Sequence, residues 1–381
     1  MACNHQENIE NDEISKLKAG IGDSAIRFSF KELQKATNNF STKLGIGDLS
    51  TCHKGTLENG TVVAVKVLRP RNADIRMYIE LRVLINVMSE IRHQNVVEFI
   101  GCCVEDDHVI IVYEFMEGGS LASLLDDEVS KLSWPMRASI CLGIARGLEC
   151  LDGKILHRDI RPNNVLLDNS FNPKIMDFGI MHIFTDYASD EGDRIPKNIG
   201  YIDREYMTTG HMTTKGDVYA FGVVLLEVIS GKRVPQFLKD CNDSGRRLAQ
   251  CLQAGKNLVD WARQLGQDGS FLEIIDPTLS EFPEDEVKRF IDVALSCVRL
   301  SSNLRPSMSE VSLLLSGGHD LTCLISDVMR DCFYYSGQVA IRCINLPCIF
   351  SFYTLTLTVI QPLMKVTEEN SEPLTPSNQL N

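Results

Sequence analysis

Residues 157–179 read HRDIRPNNVLLDNSFNPKIMDFG, and three polar side chains in this stretch bear on both fold and chemistry. Asp159 and Asn164 lie five residues apart near its start, and Asp177 opens the Asp-Phe-Gly tripeptide at its end. A carboxylate can orient a hydroxyl group and accept its proton, while amide and carboxylate oxygens suit a magnesium ion. The stretch predicts a catalytic base at Asp159 and metal ligands at Asn164 and Asp177, although any one tripeptide also occurs by chance.

A second pair of motifs lies upstream. Residues 44–55 read LGIGDLSTCHKG, and Lys66 follows in the strand-like run VAVK. Gly45 and Gly47 let a backbone approach a phosphate closely, although Ser50 stands where a third glycine is usual. A lysine after such a loop can reach the phosphates of a nucleotide, whereas a strand lysine taken alone is usually just solvated. The motifs in this order predict a nucleotide site built for phosphoryl transfer.

Composition limits the class of protein. The 381 residues include 44% apolar and 23% charged side chains, which is ordinary for a folded soluble protein. A formal net charge of −13 argues against nucleic acid as a partner. Thirteen cysteines without C-x-x-C spacing, and a polar start without a secretory signal, predict a cytoplasmic protein with reduced thiols. Cys102 and Cys103 could form a redox pair, but their apolar surroundings favour core packing.

The pattern of apolar residues changes along the chain. Runs such as TVVAVKVL and HVIIVYEF predict antiparallel strands up to about Glu114, with one helix at Ile75–Ile91. Later residues predict helices, including an amphipathic one at Trp134–Leu151 and a buried one at Val218–Ser230. This order predicts an α+β fold with a small β-rich N-lobe, a larger helical C-lobe and a cleft between them. The predicted segments are a polar N-terminal segment and lead-in at 1–42, of which 1–26 is poorly ordered, an N-lobe at 43–115, a C-lobe at 116–316 and a tail at 317–381.

The tail contains an uncharged stretch at residues 343–364, CINLPCIFSFYTLTLTVIQPLM. Its length would allow a helix to cross a bilayer. Asn345, Pro347, Pro362 and the alternating threonines favour instead a strand or an aggregation-prone tail. Both interpretations stay open from the sequence.

Several motifs resemble those of the protein-kinase family, specifically plant receptor-like cytoplasmic Ser/Thr kinases. The resemblance runs from about Phe28 to Asp331 and rests on FSFKELQKATNNFS, GCCVEDDHVIIVYEFMEGGSL, GYIDREY, GDVYAFGVVLLEVISGKR and LRPSM, besides the motifs above. The stretches SEIRHQNVVEFIGCCVE and LISDVMRD are especially similar to cold-responsive members. The resemblance implies a bilobal protein-kinase fold and transfer of the ATP γ-phosphate to Ser/Thr hydroxyls, with Mg²⁺ as cofactor.

The resemblance also implies roles for individual residues. Asp159 is the catalytic base, Lys66 binds phosphates, Arg161 contacts the γ-phosphate, and Asn164 and Asp177 hold the metal. Tyr113 is the gatekeeper, Glu114–Met116 form the adenine hinge, Asp217 anchors the catalytic loop, and Glu205 pairs with Arg305. The implied nucleotide-binding residues are Leu44, Gly45, Gly47, Cys52, Ala64, Lys66, Tyr113, Glu114, Met116, Leu166 and Asp177.

The sequence departs from the family pattern in its N-lobe. Ser50 replaces the third glycine of the loop, and Cys52 replaces the valine over the adenine. Leu84 occupies the helix position that normally supplies a glutamate to Lys66, which leaves the lysine less firmly aimed. Glu80, one turn earlier on the same face, could substitute if the helix slides, or could simply be solvated.

Further departures lie in the C-lobe. Asn198 replaces a threonine that touches the catalytic aspartate, Arg204 replaces a proline, and Arg161 replaces a lysine. Asp193 stands where related kinases carry a phosphorylated threonine, so it either mimics a phosphate by pairing with Arg158 or is a solvated loop residue. Candidate phosphorylation sites in the same loop are Thr185, Tyr187 and Ser189.

These observations favour a Ser/Thr protein kinase of reduced activity, because every group that touches metal or nucleophile is present. The alternative is a pseudokinase that acts as a nucleotide-binding signalling scaffold, and a third hypothesis is a membrane-tethered adaptor that uses the tail. The predicted partners are ATP, protein substrates and an upstream receptor kinase, without nucleic acid. The predicted location is the cytoplasm, peripheral to or anchored in the plasma membrane.

Overall fold

A computed structural model of the chain describes residues 13–21, 25–47, 50–69, 74–105, 108–127, 132–180, 198–237 and 257–318. The hypotheses on Asp193, on the phosphorylation sites at Thr185, Tyr187 and Ser189, and on the tail at 343–364 lie outside these residues. Within these ranges, no helix combines the length and the apolar character that crossing a membrane requires.

A sheet of six strands forms the first part of the fold. Its order is β1-β5-β6-β4-β3-β2, and strands β2 to β6 pair antiparallel, as the alternating apolar runs predict. The central strands β4 and β6 are apolar on both faces and buried almost throughout. The strands are β1 Ile26–Arg27, β2 Lys43–Ile46, β3 Ser50–Thr56, β4 Val62–Leu68, β5 Phe99–Glu105 and β6 His108–Glu114.

Strand β1 adds a parallel edge to this antiparallel sheet. Ile26 lies opposite Gly101 and Arg27 opposite Cys102, in register with β5. A side chain at Gly101 would place its Cβ 2.2 Å from the carbonyl oxygen of Ile26, so only glycine allows the two strands to meet. Helix α2 (Phe30–Ala36) follows, and Ser29 starts it with a capping box.

The N-terminal segment contains a helix at residues 13–20, named α1 here. The prediction that residues 1–26 are poorly ordered is therefore wrong for this part. Ile14, Leu17 and Ile21 are spaced along one helical face, and Ile21 is only 1% exposed. The high fraction of polar residues hid this short amphipathic pattern, which becomes stable only through packing on the rest of the fold.

Helices dominate the second part of the fold. The predicted helix at Trp134–Leu151 has those bounds, whereas the helix predicted at Val218–Ser230 begins at Thr214. The additional turn contains Gly216 and Asp217, which are buried but do not continue the apolar run. The helices after α2 are α3 Ile75–Glu90, α4 Leu121–Asp126, α5 Trp134–Leu151, α6 Arg204–Thr209, α7 Thr214–Ser230, α8 Leu258–Gln267, α9 Glu284–Cys297 and α10 Met308–Leu315.

A short hairpin connects the two candidate catalytic stretches. Strands β7 (Val165–Leu167) and β8 (Pro173–Ile175) pair antiparallel and lie against α5. The hairpin places the Asn164 stretch and the Asp177 stretch at the same end, which is why residues far apart in sequence meet there.

Cys102 and Cys103 belong to the core, as their apolar surroundings predict. Both side chains are free thiols and are at most 2% exposed. Burial raises the pKa of Cys102 to about 11 and that of Cys103 to about 12. Since only the thiolate reacts, these values argue against the alternative of a redox pair.

Candidate active site

Asp159 lies in the loop between α5 and β7 and is 3% exposed. The amide Nδ2 of Asn164 donates hydrogen bonds to its carboxylate Oδ2, at 2.7 Å, and to its backbone oxygen, at 2.8 Å. The Nε of Arg161 donates to Oδ2 at 3.3 Å and lies 3.2 Å from Oδ1. The structure thus brings together three predicted site residues, and Arg161 contacts the base directly.

Burial changes the acidity of this carboxylate. Desolvation raises the pKa of Asp159, and the nearby Arg161 and the Asn164 hydrogen bond act in the opposite direction. Asp177 raises the pKa further by like charge. A carboxylate with a raised pKa is a better proton acceptor than an exposed one.

Asp217 holds the loop that carries Asp159, as the resemblance implied. Its carboxylate on α7 accepts hydrogen bonds from the backbone N–H groups of His157, at 2.7 Å, and Arg158, at 2.8 Å. Arg158 has a φ of +67°, a conformation that a long side chain rarely adopts. The two hydrogen bonds to a buried acceptor account for the stability of this strained backbone.

Lys66 and Asp177 form an ion pair between the sheet and the Asp-Phe-Gly stretch. Their side chains are 11% and 10% exposed. Asp177 has a φ of +67°, a conformation that non-glycine residues rarely adopt. Two more predicted site residues are therefore in contact, although they are 111 positions apart in sequence.

The oxygens near Asp177 suit a magnesium ion. Its Oδ1 is buried and makes no hydrogen bond within the described residues. Asn164 uses its amide Nδ2 toward Asp159, which leaves its Oδ1 as the atom that would ligate a metal. In the ranges that the structure describes, no group of three or more His, Cys, Asp or Glu side chains could hold a metal by itself. Magnesium usually takes one or two protein oxygens and completes its shell with phosphates and water, so these residues fit it.

Cys52 and Tyr113 lie above this ion pair on the sheet. Cys52 is opposite Lys66 in the pairing of β3 with β4, and Tyr113 is opposite Ala64 in the pairing of β4 with β6. Burial raises the pKa of Cys52 to about 11, and Lys66 acts against that shift. The Tyr113 hydroxyl is buried without a hydrogen-bond partner among the described residues. Cys52, Ala64 and Tyr113 thus lie close to Lys66 on neighbouring strands, and their contact with a nucleotide stays a prediction.

The glycine loop turns around Ser50. Gly47 donates its backbone N–H to the Ser50 carbonyl oxygen at 2.8 Å, and a Cβ at Gly47 would lie 2.9 Å from the serine Oγ. Gly45 has no heavy atom within 4 Å of its Cβ direction, and Leu44 is 45% exposed. None of the contacts described for these residues involves Asp159 or Asn164. That Leu44, Gly45 and Gly47 bind a nucleotide therefore stays a prediction.

The predicted hinge follows β6. Met116 is 7% exposed, and Glu114 accepts hydrogen bonds from the Glu98 backbone and from the Lys174 ammonium, both at 2.7 Å. Leu166 forms a bridge with Ser120, just beyond the hinge. The hinge therefore runs beside the β7–β8 hairpin, and the stretches that carry Asn164 and Asp177 lie at one end of that hairpin.

Leu84 fills the place of the missing glutamate with an apolar contact. It is 2% exposed, and both its Cδ1 and that of Ile155 lie 3.0 Å from the position that a Cβ on Gly179 would take. Glu80 pairs with Arg76 at 3.3 Å, and in the described residues no ion pair joins it to Lys66. Lys66 uses Asp177 instead of a residue of α3.

The partner predicted for Arg305 is wrong. Asp203, rather than Glu205, accepts a 2.5 Å hydrogen bond from Arg305 Nη1, and the side chains of this pair are at most 4% exposed. Asp203 starts α6, where its other oxygen accepts from the Tyr206 backbone at 2.9 Å. The cap fixes this carboxylate against Arg305, whereas Glu205 lies inside the helix and is partly exposed.

Asn198 does not replace the threonine contact that the family pattern suggests. It lines a small space of about 10 Å³ together with Asp159 and Tyr201. No hydrogen bond joins Asn198 to Asp159 among the residues described; Asn164 and Arg161 donate to Oδ2 of that carboxylate, and its Oδ1 accepts no hydrogen bond there.

His157 makes the stability of the loop depend on pH. It is fully buried, and desolvation lowers its pKa from 6.5 to about 4. Protonation therefore favours the unfolded chain, so the stability from neutral His157 is complete above pH 6.5 and is lost as pH falls toward 4. We expect His157→Phe to remove up to about 3 kcal/mol of this pH dependence.

The measurement is the difference in unfolding free energy between the wild type and His157→Phe at each pH. Asp217 and Glu227 have raised pKa values, about 6 and about 7, and contribute a pH dependence of the opposite sign. The difference cancels them because both proteins contain them. His211→Phe, at an exposed histidine, is the matched control. A gap that stays constant between pH 6.5 and 4 would contradict the prediction.

Sequence reasoning missed two contributors to the site. The sequence analysis did not single out Asp203 as the partner of Arg305. An aspartate at the start of a helix is a common N-cap, so its capping role was predictable from the sequence. Ile155 had no motif to mark it, since its role arises only where Leu84 and Gly179 meet.

A sheet lysine paired with the aspartate of an Asp-Phe-Gly stretch, beside a buried carboxylate, is the arrangement typical of nucleotide-dependent phosphotransferases. Residues 38–315 match the family described as protein tyrosine and serine/threonine kinase. The chain belongs to the protein kinase family, whose members generally use ATP and Mg²⁺.

Relatives and solved structures agree with this assignment. The chain is 41% identical over 314 residues to a probable LRR receptor-like serine/threonine-protein kinase, At1g29720, of Arabidopsis thaliana, which covers 80% of this chain and 29% of that protein. A second Arabidopsis thaliana relative of the same description, At1g07650, is 38% identical over 329 residues, 84% of this chain and 31% of that protein. The chain thus spans less than a third of their length. Similarity to cold-responsive kinases stays a prediction.

Two solved pseudokinases share the fold. The pseudokinase domain of BIR2, described as an immune regulator of the RLK/Pelle family, is 31% identical with a TM-score of 0.60, over 78% of this chain and 89% of that one. The apo GRMZM2G135359 pseudokinase has a TM-score of 0.58 over 77% of this chain and 97% of that one; at 23% identity it shows the fold alone.

Proposed function

We propose that this chain is a Ser/Thr protein kinase that transfers the γ-phosphate of ATP to hydroxyl groups of proteins. The observation that carries the proposal is the convergence of two buried contacts, Asp159 with Asn164 and Lys66 with Asp177. The backbone N–H of Met176, next to Asp177, donates a 2.9 Å hydrogen bond to the carbonyl oxygen of Asn164, so the two contacts belong to one site. The predicted lobes at 43–115 and 116–316 would hold the nucleotide between them.

Each side chain has a task in this proposal. Asp159 accepts the proton of the attacking hydroxyl, and Asn164 orients it. Lys66 binds phosphate oxygens, and Arg161 turns from Asp159 toward the γ-phosphate. Magnesium held by Asn164 and Asp177 would neutralise charge on the phosphates. Positioning and charge neutralisation supply most of the acceleration in such transfers.

The same contacts support a reduced rate. Lys66 is bound to Asp177, so both groups must exchange partners before they serve a nucleotide. Leu84 offers Lys66 no carboxylate that would take over. The Lys66–Asp177 pair also favours the second candidate, a pseudokinase scaffold. Each of these two side chains is bound to the other and is therefore not available to bind phosphate or metal. The similarity to the BIR2 domain, a pseudokinase, supports this alternative.

Partners and location follow from the proposal. Protein substrates and an upstream receptor kinase are the partners we propose, by analogy with receptor-like relatives. Association with the plasma membrane, peripheral or through the tail, is part of the same proposal and needs a direct test by fractionation.

The test is transfer of label from γ-labelled ATP to Ser or Thr of the full chain. We expect slow incorporation that requires Mg²⁺ and is lost in Lys66→Met. Absence of label in the wild type, together with an ATP-dependent rise in melting temperature, would establish the scaffold instead. Absence of both would overturn the two candidates.

Restoring a carboxylate at position 84 of α3 should raise the rate of label transfer. We expect Leu84→Glu to increase label incorporation about threefold or more, because a carboxylate at this helix position is the usual partner of the lysine and would compete with Asp177 for it, and an ion pair worth about 0.7 kcal/mol corresponds to a threefold change. Leu84→Gln, which is similar in size but uncharged, is the matched control and should not increase the rate. Equal rates in the Glu and Gln variants would contradict the prediction.

A further inference from the structure

The N-terminal helix α1 lies against α3, the helix that lacks its usual glutamate. The ammonium of Lys18 lies 4.9 Å from the centre of the Tyr78 ring, and Gly20 approaches Arg82 so closely that a Cβ would be 3.6 Å from its guanidinium. Ile21 is 1% exposed and Tyr78 is 2% exposed. A buried aromatic ring of α3 is thus one of the groups that α1 contacts.

The segment that carries α1 is tied to the sheet at its other end. The guanidinium of Arg27 donates hydrogen bonds to the carbonyl oxygens of Lys18, at 3.3 Å, and of Ala19 in the last turn of α1. A cation at this end also complements the helix dipole. Arg27 itself belongs to β1, which pairs with β5 beside the glycine at position 101. Arg27 thus connects α1 to the edge of the sheet, while α1 also contacts α3.

The other side of α3 contacts the Asp-Phe-Gly stretch. Leu84 packs against Gly179, two residues beyond Asp177. In related active sites a lysine–glutamate ion pair fixes this helix. In the described residues no ion pair joins Lys66 to α3, because Asp177 takes the lysine. The placement of α3 therefore depends on apolar packing, which includes its contact with β5, the contact at Leu84 and the contact with α1.

We propose that α1 with Ile21, held by Arg27 of β1, forms a clamp on α3 that substitutes for the missing ion pair and sets nucleotide affinity. The clamp contacts α3 at Tyr78, and Leu84 on the same helix contacts Gly179 in the Asp-Phe-Gly stretch. A change in the position of α3 would therefore also move the stretch that carries Asp177. Release of the clamp lets α3 move and weakens the metal and phosphate site. The proposal rests on the proposed function for its consequence, although the clamp itself is a structural claim. A modification or partner at the N-terminal segment would then regulate the site from outside.

The first test uses hydrogen exchange of the full chain with Ile21→Asp, which places a charge in a buried contact. We expect faster exchange in residues 75–90 as well as in 13–27, and a dissociation constant for Mg·ATP raised about fivefold or more. Ile21→Val should behave as the wild type. Val83→Asp, on the exposed face of α3 at 59% exposure, should leave both measurements unchanged. Faster exchange confined to 13–27 would overturn the proposal.

A second variant guards against simple misfolding. Arg27→Gln removes the guanidinium that ties α1 to β1 while leaving the buried surfaces intact, so it should give the same changes as Ile21→Asp but smaller. Unchanged exchange in 75–90 for Arg27→Gln, with α1 itself loosened, would contradict the clamp.

A double-mutant cycle separates positioning from stability. In the Leu84→Glu background an ion pair with Lys66 is available, so Ile21→Asp should affect residues 75–90 and nucleotide affinity less than in the wild type. Equal effects in both backgrounds would show that α1 merely stabilises the fold. If exchange in residues 75–90 changes but no label is transferred, the clamp is supported and the kinase function is refuted. If label is transferred but exchange in residues 75–90 does not change, the kinase function is supported and the clamp is refuted.

Discussion

Asp159→Asn is expected to lower label transfer by about 10²- to 10⁴-fold, the usual contribution of a general base. The change keeps the size of the side chain but removes its negative charge, so it can no longer accept a proton and loses the ion pair with Arg161. The loop should keep its shape, because Asn164 also bonds the backbone oxygen of residue 159 and Asp217 holds the neighbouring N–H groups. Nucleotide binding, measured as the ATP-dependent rise in melting temperature, should therefore persist.

The matched control is Asp152→Asn, at an exposed aspartate that ends α5 near the same loop. It should transfer label at the wild-type rate. Transfer that survives in Asp159→Asn, or that falls equally in both variants, would remove Asp159 from the role of base. If the wild type transfers no label at all, the scaffold function takes the place of the kinase.

Asp203→Asn is expected to destabilise the fold by about 3–5 kcal/mol, the usual result of removing one partner of a buried ion pair. Arg305 would keep its charge without a carboxylate, since its remaining hydrogen bonds go to the backbone oxygens of Arg299, Lys215 and Leu300. The amide can still accept from Tyr206, so the cap of α6 is preserved. Denaturant unfolding monitored by fluorescence measures the loss as a lower midpoint.

Glu205→Gln is the matched control for this change, because the family pattern assigns the pair to that position. It should alter the unfolding free energy by only about 0.5 kcal/mol or less, as is usual for partly exposed side chains. A large loss for Glu205→Gln with little loss for Asp203→Asn would restore the family pairing and refute the one described here.

Local motifs made much of the fold readable from the sequence. The apolar runs predicted the antiparallel strands, and helical periodicity predicted α5 with its bounds, since each pattern reflects a repeat of two or of 3.6 residues in the backbone itself. The polar residues of the Asp159 loop were also readable, because their spacing matches a motif with a chemical purpose.

Contacts between distant segments were not readable. The ion pair of Lys66 with Asp177, the choice of Asp203 for Arg305, and the docking of α1 on α3 each join residues whose separation in sequence carries no signal. A carboxylate pairs with whichever cation the packed backbone brings within reach, so the fold had to be complete before the partner was decided.

The sequence by itself determined the protein-kinase fold and the identity of the polar groups available for catalysis. Only the tertiary structure decided how these groups are paired, with Leu84 as an apolar contact and Lys66 held by Asp177. The physical reason is that ion pairing and burial depend on distances in space of a few ångströms, which chain spacing does not encode.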